Sequence, residues 1–322
     1  NPIPMRTHVP TVRLSVLICL FAFFSLESNA QSISTRNGKF ELGLGLGPMF
    51  FLGDLGGSAG IGKTFIKDLD LPLTKFNKGL YFNYYPTEFI GLRIAGNLGF
   101  LEGDDAQAPN KGGAEMDRRE RNLHFRSKLK EAYAAVEIYP TFFLEKYDGL
   151  KGKLRPYFVA GVGIYHFNPE TRDIDGSWVK VAPLRLEGQG FAEYPDSKPY
   201  KLTQKNILGG IGFKYYIKEN AYIGFEILHR KLFTDYVDDV SHNYYIDPIY
   251  FDQYLSAADA VKARRLYYRG IYSFPATRPY EEFAERGDPK ENDAYFSSIL
   301  RFGWRIGGID ARSKQLKCPV FY

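Results

Sequence analysis

Eight segments of period-two alternation are joined by short connections on one side and long ones on the other, and no other feature of the chain constrains its fold as strongly. The strand candidates run over about 39–51, 79–85, 89–101, 128–139, 156–167, 206–217, 221–233 and 294–307. Pro86-Thr87-Glu88 and Lys218-Glu219-Asn220 make short turns, with a somewhat longer one at 141–155. Long segments span about 52–78, 102–127, 168–205 and 234–293. This wiring predicts an all-β fold, an eight-stranded antiparallel up-and-down transmembrane β-barrel with short periplasmic turns and long extracellular loops. A soluble sandwich would connect its strands by loops of similar length at both ends. An even strand count places both termini in the periplasm, in the cell outer membrane.

The two faces of these strands differ. Ile90, Leu92, Ile94 and Leu98, then Ile207, Ile211 and Phe213, then Phe296, Leu300, Phe302 and Trp304, fall on the face that meets lipid. The opposite face gathers Glu41, Arg93, Glu131, Glu137, Lys214, Glu226, Arg230, Arg301 and Arg305. An eight-stranded interior is only wide enough for side chains to fill it. Four acids and five bases that neutralise one another there predict a plugged lumen and no open pore. In strand one, Gly43, Gly45 and Gly47 read as small lumen-facing residues that relieve crowding or let the strand coil.

Export is expected from residues 1–30. Arg6 and Arg13 flank an apolar run from Leu14 to Leu26, and Ser28-Asn29-Ala30 supplies a small-residue stop, so cleavage is expected before Gln31. The run is shorter than the roughly 20 apolar residues that a helix needs to span a bilayer. Cys19 lies inside the run, away from the position of a lipid-bearing cysteine. The chain has 24 Tyr and 16% aromatic residues but a mean hydropathy of −0.30, so a membrane location requires a closed barrel. Loss of Arg6, Arg13 and Glu27 takes the net charge from +5 to +4, which gives no reason to expect nucleic acid. Cys318 is then a lone thiol, free or paired with another protein.

Several motifs invite enzymatic readings. Gly57 to Thr64 satisfies the phosphate-cradling pattern, but it follows an amphipathic strand in an external loop, where the pattern reads as a coincidence in a glycine-rich segment. His124, His166, His229 and His242 are too scattered to suggest a metal site, and no cofactor is expected. Ser241-His242, near Asp238 and Asp239, is the one pair that could serve a lipid-modifying barrel enzyme as nucleophile and base. Adjacent residues rarely face each other in an irregular segment, so the pair reads as a capped turn above strand seven. No catalytic set is expected.

The fourth loop carries Tyr244, Tyr245, Tyr250, Tyr254, Tyr267, Tyr268, Tyr272 and Tyr280, which implies a self-packed cap or a contact surface, and Ser256 to Tyr268 has helical composition. Residues 308–322 form a separate tail expected in the periplasm. Arg312, Lys314 and Lys317, then Cys318, Phe321 and Tyr322, make it basic, aromatic-ended and suited to docking a protein.

The opening strand Glu41-Leu-Gly-Leu-Gly-Leu-Gly-Pro-Met-Phe-Phe-Leu-Gly-Asp54-Leu-Gly56 resembles the opening of PorG-like barrels from Bacteroidetes. Phe233-Thr-Asp235-Tyr236-Val-Asp238-Asp239-Val-Ser241 and the ending Cys318-Pro-Val-Phe-Tyr322 are similar to that family as well. The resemblance implies a non-enzymatic outer-membrane component of the type IX secretion system, which supports motility in gliding species. It also implies association with a periplasmic ring of the PorK lipoprotein and PorN type and with other outer-membrane components of that system. Asp54, Asp235, Asp238 and Asp239 are then expected to shape the outer rim. A generic OmpA-like or OmpX-like barrel for surface stability or adhesion is the alternative.

Overall fold

The computed structural model describes residues 40–55, 75–87, 89–108, 114–140, 154–218, 220–242, 244–270, 286–290 and 292–306. Ten strands occur in the order β1 (Phe40–Leu52), β2 (Lys75–Tyr84), β3 (Ile90–Asp104), β4 (His124–Ile138), β5 (Leu154–His166), β6 (Pro169–Arg172), β7 (Trp178–Lys180), β8 (Thr203–Lys218), β9 (Ala221–Leu232) and β10 (Ala294–Ile306). Helices α1 (Ala114–Arg121), α2 (Tyr250–Tyr254) and α3 (Ala257–Tyr267) lie in the long connections. Strands β1, β2, β3, β4, β5, β8, β9 and β10 pair antiparallel with their neighbours, and β1 pairs with β10, so eight strands close on themselves.

Outward residues trace the closure. From Phe50 the pairing runs through Phe296, His229, Gly209, Ala160, Val136, Leu92 and Tyr84, and returns to β1 at Phe40. The circuit ends ten residues from its start, a stagger that tilts the strands by roughly 35–45° to the barrel axis. Burial alternates along the membrane-spanning parts of the strands: Leu42, Leu44 and Leu46 point out while Glu41, Gly43, Gly45 and Gly47 point in. Phe296 departs from the expected lipid contact. It keeps an outward register but is only 7% exposed, because its ring stacks on Phe50 at 4.7 Å.

Strands β2, β3, β4 and β8 outrun their expected ends on the long-loop side by three or four residues. The β3–β4 ladder continues through Glu102↔Arg126 and Gly103↔Phe125 to Asp104↔His124, in residues read from sequence as loop. The third long segment is likewise not a plain loop, since β6 pairs with the top of β4 and β7 completes a hairpin with β6. Above it, Val181, Leu184, Leu186, Phe191 and Tyr194 pack with Tyr245, Ile246, Phe251, Ala260, Ala263, Leu266, Tyr267 and Tyr268. The third and fourth connections therefore share an apolar core outside the barrel, a cap of buried rings and small helical residues. The expected helix forms as α3, and the Ser256 side chain accepts the Asp259 N–H at 3.2 Å as its N-cap.

Inside the barrel, tyrosines dominate the apolar packing: Tyr81, Tyr85, Tyr133, Tyr139, Tyr157, Tyr216 and Tyr222 are buried together. Gly43 and Gly303 make room for two of these rings. They pair directly across β1 and β10, Tyr81 lies over Gly43, and Tyr222 lies over Gly303. The two phenol oxygens meet at 2.6 Å. A methyl group on either glycine would collide with a ring, so these positions require glycine for close approach rather than for backbone freedom.

Candidate functional site

All nine charges expected on the lumen face are buried inside the barrel, where they form two layers. In the layer near the short turns, Lys214 on β8 reaches Glu41 at 2.9 Å, Glu137 at 3.1 Å and the Tyr85 hydroxyl at 2.6 Å. Asn83 donates to Glu41 at 2.9 Å and to Glu137 at 2.8 Å, which ties the two carboxylates together. Arg305 stands 3.6 Å from Glu41. Arg93 holds Glu137 through Nε at 2.7 Å and Glu226 through Nη1 at 2.7 Å. Glu226 also receives Arg301 and the Tyr157 hydroxyl, each at 2.6 Å.

The second layer centres on Glu131. It accepts hydrogen bonds from Asn97, Asn206 and Tyr295 at 2.8 Å each and pairs with Arg230 at 3.2 Å. Strands β3 and β9 face each other across the ring, as do β4 and β10. The Arg93–Glu226 pair and the Tyr295–Glu131 bond therefore each span the full diameter. Side chains cross the lumen at two heights, so this interior is a plug.

The mouth on the long-loop side is built differently. After β9 the chain turns back over the opening, and the Asp293 carboxylate accepts the Val237 N–H at 2.8 Å. Asp238 accepts the N–H of Leu55 at 3.3 Å and of Val240 at 3.0 Å. Asp54 accepts the Asp288 N–H at 2.9 Å. Asp239 has a left-handed backbone with φ of 65° and receives the Tyr200 hydroxyl at 2.5 Å. Arg121, at the end of α1, grips Asp105 side-on at 2.8 and 3.0 Å and reaches the Asp54 carbonyl at 2.7 Å. Glu187, in the third connection, binds the N–H groups of Ser241 at 3.0 Å and His242 at 3.1 Å together with Arg286 at 3.0 Å.

Burial sets the proton affinity of these carboxyls. Desolvation lifts Glu187 to about 7, Asp54 to about 6 and Asp239 to about 6, although Arg286 or Arg121 opposes the rise. Asp235 is pushed up to about 10 by burial, with the charges of Asp54 and Asp238 adding to it. Asp238 and Asp293 are raised well above the usual range for the same reasons. The mouth can thus hold protons at neutral pH. Among the described residues no three His, Cys, Asp or Glu side chains converge to hold a metal ion.

The structure gathers Asp54, Asp235, Asp238 and Asp239 at this outer rim: Asp54 and Asp238 accept backbone N–H groups, Asp239 receives the Tyr200 hydroxyl, and Asp235 bonds the Ser241 hydroxyl. It does not assemble Ser241 and His242 into a nucleophile and base. The Ser241 hydroxyl engages Asp235 and Tyr236, while the two backbone N–H groups are held by Glu187. Arg312, Lys314, Lys317, Cys318, Phe321 and Tyr322, the segment 1–30 and the Gly57–Thr64 motif lie outside the described residues. Sequence reasoning missed Asp105, Arg121, Glu187, Arg286 and Asp293. Asp293 had a signal of its own, an acid directly before the last strand; Arg121 ends the short helix α1 and Asp105 opens a 3-10 turn, while Glu187 and Arg286 sit in irregular segments without periodicity.

An apolar outer wall on a closed eight-stranded antiparallel ring, with the charges turned inward, defines a bacterial outer-membrane β-barrel. No helix among the described residues is long and apolar enough to cross a membrane, and the strands do so instead. No family model matches the chain, and no curated protein does. Solved structures similar to it include neisserial surface protein A, at 9% identity and a TM-score of 0.36 over 83% of this chain and 97% of that one. OprG from Pseudomonas aeruginosa aligns at 14% identity and 0.35 over 83% and 95%. Ail from Yersinia pestis aligns at 10% and 0.34 over 84% and 99%.

Proposed function

We propose that this protein is a non-enzymatic outer-membrane component that positions a periplasmic secretion ring of the type IX kind. The observation that carries the reading is the plugged lumen. A barrel crossed at one level by an ion pair and at the other by a tyrosine–carboxylate hydrogen bond conducts nothing through its centre, so its work is done on its surfaces. The resemblance of the β1 opening and of the Phe233–Ser241 segment to PorG-like barrels supports the secretion role, with the basic tail at 308–322 docking a ring lipoprotein and its partner.

The test is gentle extraction of the tagged full chain from outer membranes, with and without residues 308–322 and with and without reductant, followed by mass spectrometry of what copurifies. The expected result is a ring lipoprotein with its partner, lost on truncation together with secretion of cargo, while the barrel itself stays folded. Loss under reductant would assign the contact to Cys318. Recovery of the barrel alone would favour a surface barrel for stability or adhesion, the reading supported by the packed cap over the mouth.

A further inference from the structure

The lipid-facing wall is apolar over most of its height and basic at one end. Lys78, Lys128, Lys130, Lys205 and Lys231 all point outward and are exposed; Lys78, Lys128, Lys205 and Lys231 lie within a few residues of the end of their strands on the long-loop side, and Lys130, further down β4, is level with His166, the last residue of β5. His166 and His229 share that face and that end. The register joins several of them in one outward row: Lys78 pairs with Leu98, Leu98 with Lys130, Lys130 with His166, and His166 with Thr203. Lys128 follows Lys130 on the same face of β4, about 7 Å away given the rise per residue. Lys205 and Lys231 are diagonal neighbours, because Lys231 pairs with Ile207, two residues along β8 from Lys205. The row thus runs from β2 to β9, around most of the ring.

The acids on this outer face are already taken. Glu102 pairs with Lys75 at 2.7 Å and Glu170 with Arg126 at 2.9 Å. Among the described residues no carboxylate lies within ion-pair distance of any of the five lysines. The opposite end of the wall carries Phe40, Tyr84, Ile138, Tyr215, Ile217, Trp304 and Ile306, aromatic and aliphatic groups without such a row. A lysine on the lipid face costs roughly 2–4 kcal/mol at the bilayer midplane and about 0–1 near the interface, so the row marks the outer headgroup level. Five ammonium groups spaced roughly 7–12 Å apart along this row repel one another unless anions come between them.

We infer that the lysine row Lys78, Lys128, Lys130, Lys205 and Lys231 is a binding surface for phosphorylated lipids of the outer leaflet, with headgroup phosphates seated between the ammonium groups. Each lysine near an anionic lipid surface contributes on the order of 1 kcal/mol, and salt screens the attraction. The inference is independent of the secretion role, since it concerns the lipid shell and not a periplasmic partner.

The experiment uses the full-length protein refolded in phosphatidylcholine nanodiscs doped with diphosphoryl lipid A, with bound lipid A counted by native mass spectrometry. Wild type is expected to retain lipid A. The variant with Lys128→Gln, Lys130→Gln, Lys205→Gln and Lys231→Gln should lose it by at least tenfold, and the four corresponding Arg changes should keep it. Circular dichroism and the heat-dependent gel shift verify that each variant is folded. If the Gln variant does not fold, dephosphorylated lipid A tested on wild type decides the matter, because it should bind at least tenfold more weakly. Equal retention of lipid A by folded wild type and Gln variant, or equal binding of the dephosphorylated lipid, overturns the inference. So does displacement of lipid A by millimolar inorganic phosphate, which would mean a site for the free ion. Replacing Lys180 and Lys262 in the cap by Gln should leave lipid binding unchanged.

Discussion

The barrel interior and the mouth above it are both rich in buried carboxylates, but only the interior matches them. In the lumen Glu41, Glu131, Glu137 and Glu226 each touch a cation from another strand, and Arg93, Lys214, Arg230, Arg301 and Arg305 supply the charge. At the mouth Asp54, Asp105, Glu187, Asp235, Asp238, Asp239 and Asp293 face Arg121 and Arg286. Strand pairing explains the difference. A closed ladder sets every inward position against a known neighbour, so opposite charges can be placed at fixed register. Irregular segments folded over the opening have no such register, and their carboxyls are held mainly by backbone N–H groups.

The largest expected effect lies in the lumen. Glu131→Ala removes the one carboxylate among the described residues that Arg230 touches, along with the acceptor for Asn97, Asn206 and Tyr295, and leaves a cation buried without that counter-charge. Such an orphan costs about 3–5 kcal/mol, whereas replacing both partners by groups of similar volume is often nearly neutral. Urea unfolding in micelles should therefore show a large loss for Glu131→Ala and a recovery of most of it in Glu131→Gln with Arg230→Met. A loss below about 1 kcal/mol for Glu131→Ala would break the comparison, because the lumen would then tolerate an unmatched charge as well as the mouth does.

The mouth should respond to pH in the opposite sense from ordinary carboxylates. Asp239 rises from an ordinary value of 3.8 to about 6, and Glu187 from 4.5 to about 7, because burial disfavours the charged forms. The folded state therefore binds more protons than the unfolded chain between these limits. Stability from the mouth is fully present below pH 4 and falls as pH climbs through 6 and 7. Asp239→Asn tests the sign. Asparagine keeps an acceptor for Tyr200 and tolerates the left-handed backbone, so the variant should be roughly 3 kcal/mol more stable than wild type at pH 8 and equal to it below pH 4. A variant less stable than wild type at pH 8 would mean that the charge of Asp239 is matched after all.

Legibility follows the same division. Strict alternation placed all eight wall strands and turned Glu41, Arg93 and their partners inward, since parity alone decides which side of a strand a residue occupies. Parity could not say that Phe296 would be covered by Phe50, a contact between neighbouring strands at the wall's upper edge. The β6–β7 hairpin was missed because Pro169–Arg172 and Trp178–Lys180 are too short to show a period. Of the mouth, the aspartates near β9 were legible as a cluster in sequence. Their partners Glu187 and Arg286 were not, since Glu187 arrives from the third connection, 54 positions from Ser241, and Arg286 from the far end of the fourth, 47 positions from Asp239.

The smallest effect asks whether the cap answers to the barrel at all. Its core is built from the third and fourth connections alone, and α3 begins with a local device, Ser256 accepting from Asp259. Ser256→Ala leaves that N–H without its acceptor and should cost the helix about 1 kcal/mol. Because the cap core holds no lumen residue, the loss should appear as faster amide hydrogen exchange over 257–267 and in the Phe191, Tyr245 and Phe251 surroundings, with exchange in β1 to β5 and β8 to β10 unchanged. If barrel strands also exchange faster, cap and wall unfold as one unit, and the Glu187–Arg286 contacts at the mouth transmit stability in both directions. If only the cap responds, the barrel is a scaffold stabilised by its own matched charges, and the acid-rich mouth is the weaker joint between two independently packed cores.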